Sequence, residues 1–132
     1  MQLTPYLMFN GNCEEALNFY AVTIGGEIKH LSRFEDMPGE PMSADKQKVM
    51  HATFEGNGIS FMASDGAREV STSGNIHLCI DFKDSGAMEN IFNLLGQGGN
   101  ITMPLQDTFW GAKFGMLIDR FGINWMFNSE MK

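Results

Sequence analysis

The apolar and polar positions of the chain are most regular between Phe109 and Asn128, where Ala112, Phe114, Met116 and Ile118 alternate with Lys113, Gly115 and Leu117. After Asp119-Arg120-Phe121-Gly122, Ile123, Trp125 and Phe127 alternate with Asn124, Met126 and Asn128. A period of two places alternate side chains on opposite faces of a sheet, so the stretch predicts two strands joined by a tight turn. The Ile123, Trp125 and Phe127 set is the expected core face. Asn124, Met126 and Asn128 then look toward something else.

Earlier in the chain the rhythm changes twice. The apolar run Thr4 to Phe9 predicts a strand ended by Asn10-Gly11-Asn12, and Ala16, Leu17, Tyr20 and Ile24 then recur at helical spacing. Asn12 is the expected N-cap, with Glu15 three residues on, and Gly25-Gly26 the stop. Glu27 to Phe34 predicts a second strand. Glu35 to Gln47, polar and holding Pro38, Gly39 and Pro41, predicts a mobile loop. Lys48 to Glu55 and Ile59 to Ala63 predict a hairpin around Gly56-Asn57-Gly58. Beyond a small, polar connector the order repeats: a strand over Asn75 to Phe82, a helix capped by Asp84 or Ser85 with Ala87, Met88, Ile91, Phe92 and Leu95 on its apolar face, a strand over Ile101 to Leu105, and the last hairpin. Gly98-Gly99 closes the second helix as Gly25-Gly26 closes the first, 73 positions earlier (98 − 25).

Two copies of strand, helix and three strands point to duplication. Each copy alone buries one sheet face under one helix, which leaves the second face to be covered. The expected fold is α+β: two βαβββ modules forming a curved, partly closed mixed sheet around a cavity, with one helix per module packed outside. The alternative is two layers with a filled interior. The expected organisation is a single domain over 1–132, with module one at 1–64, a connector at 65–74 and module two at 75–132.

Composition narrows the partners. Eleven Phe and eleven Met among 132 residues are enough to line a pocket as well as fill a core. A formal charge of −7 argues against binding to nucleic-acid backbones, and no apolar run has the length of a membrane span. The Met1 end shows no charged leader followed by an apolar stretch, so a cytoplasmic location is the expectation. Cys13 and Cys79 are far apart and form no CxxC, which suggests neither a disulfide framework nor a zinc site. Cys13 falls at a helix start, where a thiol can be activated, yet no basic partner is near it in sequence.

Thr4-Pro5-Tyr6-Leu7 with Asn10-Gly11-Asn12, the run Ala16 to Tyr20, the segment Phe61 to Asp65, and above all Trp110-Gly111 with Phe114-Gly115, Asp119, Phe121-Gly122 and Trp125 carry a resemblance. Over nearly its whole length the chain resembles the PhnB-like branch of the vicinal oxygen chelate superfamily, relatives of glyoxalase I and the bleomycin-resistance proteins. The resemblance implies the paired-module fold and a homodimer. It also implies a divalent metal held by one residue from each of the first, fourth, fifth and eighth strands. Carried over, those positions fall on Pro5, on Ser60 or Phe61, on His77 and on Met126. Only His77 is a suitable donor, since proline has no donor side chain and a thioether suits soft metals. The expectation is therefore no metal and no cofactor, with a divalent metal as the alternative.

The cavity face implied by this alignment carries Leu7 and Phe9 from the first strand, Ser60 and Met62 from the fourth, His77 and Cys79 from the fifth, and Asn124, Met126 and Asn128 from the eighth. Trp110 joins its rim, either stacking on a ligand or packing at a dimer contact. Ligand contacts are expected at Leu7, Phe9, Ser60, Met62, His77, Trp110, Asn124 and Met126. His77 is the best catalytic candidate, although a polar remnant satisfied by a neighbour explains it equally. His30 and His51 are read as ordinary strand residues, and Asp119-Arg120 as turn geometry. Three functions stay open: a metal-free protein binding a small apolar or aromatic molecule, an enzyme using a divalent metal or His77, and a non-catalytic dimeric structural or regulatory protein. The methyltransferase label carried by some relatives finds no glycine-rich turn for a nucleotide-like cofactor here.

Overall fold

The computed structural model describes residues 1–36, 45–66, 69–71, 74–109 and 111–130, the last without its side chain. The chain forms two compact units, Met1–Ser71 and Thr72–Lys132, divided inside the expected connector. In the first, β1 (Tyr6–Phe9) leads to α1 (Cys13–Thr23), β2 (Glu27–Arg33), a single 3-10 turn at Phe34–Asp36, β3 (Val49–Gly56) and β4 (Ile59–Asp65). In the second, β5 (Leu78–Phe82) leads to α2 (Ser85–Leu95), β6 (Asn100–Asp107), β7 (Ala112–Ile118) and β8 (Asn124–Glu130). Each unit holds one four-stranded mixed sheet, ordered β1-β4-β3-β2 and β5-β8-β7-β6. In both, the first strand runs parallel to the last and the other pairings are antiparallel. The repeat expected from the glycine pairs and the alternation is therefore a repeat of topology.

Each core is built the same way. On α1, Tyr20 stands edge-on to Phe54 and Phe61, whose rings stack at 5.0 Å between centroids. On α2, Phe92 stands edge-on to Phe127 at 5.1 Å, and Phe127 stacks on Phe82 at 5.6 Å. Such pairs each add about 0.5–1.5 kcal/mol beyond the area they bury. They also fix which face of each sheet lies under its helix: Phe54 and Phe61 mark it in the first unit, Phe82 and Phe127 in the second.

The ends of the elements follow local chemistry in some places and long-range chemistry in others. Asp84 caps α2, accepting from Gly86 N–H at 2.8 Å and Ala87 N–H at 3.4 Å. Asn12 occupies the N-cap of α1 as expected, but its side chain makes no capping hydrogen bond. The buried carboxylate of Asp65, at the end of β4, accepts from Cys13 N–H instead, and from Val49 N–H, both at 2.9 Å. The β3–β4 turn is the two-residue Asn57-Gly58, both with positive φ (52° and 82°), as a tight hairpin requires. Asn75 to His77, expected within the fifth strand, precede it, and Ile76 among them is 73% exposed.

Candidate functional site

With the helix faces fixed, the opposite face of each sheet can be read from the register. In the first unit Tyr6 lies opposite Met62 and Met62 opposite Thr53, so these three share the helix-free face with Ser60, Met8 and His51. Tyr6 and His51 meet there, the phenol oxygen 3.2 Å from Nδ1, and Lys29 pairs with Glu55 at 3.2 Å. Ser60 and Met62 stand where the sequence placed them. Leu7 and Phe9 do not. They lie opposite Ala63 and Asp65 on the helix side, and Phe9 is a core residue at 2% exposure. The missed residues are Tyr6 and Met8, both exposed.

In the second unit the register joins Cys79 to Met126, Met126 to Met116 and Met116 to Met103, a row running across all four strands. Asn124 and Asn128 flank Met126 on the same face, with Phe114 opposite Asn128 and Ile118 opposite Asn124. Asn124 is buried, Met126, Met116 and Met103 are partly buried, and Cys79 is exposed. The Asn128 amide donates to Asp81 Oδ1 at 3.0 Å. Asn124 and Met126 thus sit together as expected. Asn128 also lies on the expected face, whereas Met116, Met103 and Asp81 join it only through the pairing of four strands.

His77 is partly buried and immediately precedes β5. Trp110 and residues 37–44 of the expected loop lie outside the described residues. Cys79 has its thiol pKa raised, first by burial and then by the Asp81 carboxylate. Cys13 is fully buried and its thiol is pushed up to about 12 by burial, with Asp65 and Glu14 adding to it. Burial therefore works against an activated thiolate at the α1 start.

The superfamily's divalent ion does not fit these residues. Pro5 offers no side-chain donor and its carbonyl accepts from Met62 N–H at 3.0 Å. Met126 offers a thioether, which hard ions disfavour. Among the described residues, no group of three or more His, Cys, Asp or Glu could hold a metal ion.

A pocket of about 730 Å³ opens at the start of α1, lined by Glu14, Arg33, Lys48 and Asp65 among others, and it contains none of the predicted ligand residues. Arg33 is already engaged, with bonds of 3.1 and 2.9 Å to the Glu14 carboxylate and 2.8 Å to the Gln47 carbonyl. That pairing holds the Glu14 carboxyl below its ordinary range. The charged lining suits water better than an apolar guest.

Among the described residues no helix is long and apolar enough to cross a membrane. The family model described as 3-demethylubiquinone-9 3-methyltransferase matches residues 1–127. Protein PA1353 from Pseudomonas aeruginosa is similar in structure, with a TM-score of 0.89 and 38% identity, over 100% of this chain and 99% of that one. The PhnB protein from Bacillus cereus has a TM-score of 0.83 and 32% identity, over 98% of this chain and 99% of that one. A glyoxalase/bleomycin resistance protein/dioxygenase from Nocardioides shares the fold at a TM-score of 0.57 and 19% identity, over 100% and 85%.

Proposed function

The chain belongs to the family described as 3-demethylubiquinone-9 3-methyltransferase, the PhnB-like branch of the glyoxalase, bleomycin-resistance and dioxygenase superfamily, and from that membership we propose that it binds a small apolar or aromatic molecule without a divalent metal. The observation that carries this reading is the helix-free face of the second sheet. There Phe114, Met116 and Met126 offer a polarizable apolar floor, and Asn124 and the Asp81–Asn128 pair supply a few oriented polar groups. That mixture is the usual make-up of a small-molecule site. Thioethers make favourable contacts with aromatic rings, worth about 0.3–1.5 kcal/mol each.

In this reading the helix-free face of the second sheet receives the ligand, and His77 contacts it at its edge. The active form is a homodimer, in the cytoplasm. Methyl transfer is not favoured: the sequence offers no glycine-rich turn between a strand and a helix to hold a nucleotide-like cofactor. Acid-base chemistry at His77 is the rival.

Thermal-shift screening against metabolites and drug-like aromatics tests the proposal, because a ligand selective for the folded state raises the melting temperature by mass action. Hits that bind equally well with and without added Mn²⁺ or Ni²⁺, and less well to Met126→Ala, are expected. A stoichiometric divalent ion bound by the purified protein, with binding or turnover that depends on it, would overturn the metal-free reading.

A further inference from the structure

A thioether at the place of the superfamily's acidic ligand excludes one class of ion and suits another. We propose that the row Cys79, Met126, Met116 and Met103 is a site for a soft monovalent cation such as Cu(I) or Ag(I), centred on Met126 and Met116. Directly opposed residues on neighbouring strands have Cβ atoms about 4.5–5.5 Å apart. A borderline-soft metal bonds sulfur at about 2.3 Å, so two sulfurs meeting end-on at one ion stand about 4.6 Å apart. Methionine sulfurs stand two bonds beyond Cβ on flexible side chains, so those of directly opposed residues can converge on one two-coordinate soft ion. Flexible methionines can add a third sulfur from the next strand.

Three features separate this row from ordinary methionine packing. Met88, under α2, is fully buried, whereas Met103, Met116 and Met126 are each partly exposed on the helix-free face. Asp81 stands two residues from Cys79 on β5, opposite Asn128 and bonded to it, which places negative charge beside the row on the same face. The third is an internal control: in the first sheet the same four steps read Tyr6, Met62, Thr53 and Lys29, one sulfur with a cation at the far end. The sulfur row belongs to one copy of the repeat. Met103, on the edge strand β6, is the outermost member, with register irregularities on both sides of it.

The ion enters as Cu(I) and leaves as Cu(I). Neutral thioethers give up nothing on binding, and where Cys79 joins as thiolate its proton goes to solvent, so affinity rises with pH. This inference does not depend on the organic ligand.

Anaerobic titration of the full chain with Cu(I), in competition with a chromogenic Cu(I) chelator, tests it, with Ag(I) as a redox-inert check. About one equivalent is expected to transfer from chelator to protein. Met126→Leu and Met116→Leu conserve volume, so they keep the fold, and each is expected to weaken binding by about tenfold or more. Cys79→Ser is expected to weaken it less and to flatten its pH dependence, and Met62→Leu to leave it unchanged. Retention of all Cu(I) by the chelator would overturn the proposal. So would wild-type affinity in both Met126→Leu and Met116→Leu, or complete loss in Cys79→Ser with neither methionine mattering, the mark of a lone thiol. Failure here leaves the organic-ligand reading standing, because screening hits in metal-free buffer report on it separately.

Discussion

The indole N–H of Trp125 donates to the Asp119 carboxylate across 2.9 Å, inside the turn that joins β7 to β8. The other Asp119 oxygen accepts from Phe121 N–H at 2.8 Å and Ile123 N–H at 3.1 Å, and the residue is only 3% exposed. One carboxylate thus sets the turn and anchors the largest core side chain of β8. That strand carries Met126 and Asn128, so the position of the candidate site depends on this anchor. Asp119→Ala leaves buried donors unsatisfied and is expected to cost on the order of 3 kcal/mol, read as a lower urea midpoint. Asp119→Asn keeps one acceptor oxygen and should cost less. Equal midpoints for Asp119→Ala and wild type would show that the turn stands without it.

Cys13 gives a pH dependence of defined sign. Its thiol ionises at about 12 in the folded protein against an ordinary value of 9.0. Above about pH 9 the unfolded chain loses this proton while the folded chain keeps it, so stability is complete below that pH and falls as pH rises toward 12, by up to about 1.4 kcal/mol per pH unit. Melting temperatures of wild type and Cys13→Ala should therefore converge on going from about pH 8 to about pH 10.5. Parallel curves would contradict the burial of the thiol. Native protein should also react with a thiol reagent at Cys79 alone, and at both cysteines in denaturant.

Gly115 lets α2 lie against its sheet. A Cβ there would stand 2.9 Å from Leu105 Cδ2 and 3.0 Å from Phe92 Cε2. Gly115→Ala is expected to destabilise by about 1–3 kcal/mol through overpacking, measured by denaturant unfolding, despite the usual gain from replacing glycine. A stabilised variant would mean that Phe92 can retreat from its edge contact with Phe127.

The sequence disclosed what short-range patterns control. The β7–β8 alternation, the Asp84 cap and the Asn57-Gly58 turn are each specified within a few residues, and the repeated order of elements follows from them. The face of β1 was not legible, because nearly every position from Tyr6 to Phe9 is apolar and a period of two has no phase in such a run. Its parallel pairing with β4 sets that phase, across more than fifty residues of sequence. Asp65 took over the α1 cap from Asn12 in the same way, from 52 residues away. Within the site, the Asn124 and Met126 face could be read from β8 alone. The sulfur row could not, since it needs the register of four strands and a bulged β6.

The claim that the helix-free face of the second sheet receives an organic ligand is tested most directly by NMR of protein carrying 13C-methyl methionine, titrated with the best screening hit. Eleven methionines report at once. The account predicts that the Met116 and Met126 methyls shift first and furthest, with Met103 following and buried Met88 unmoved. Saturable binding that leaves Met116 and Met126 unshifted while other methionines respond would contradict it.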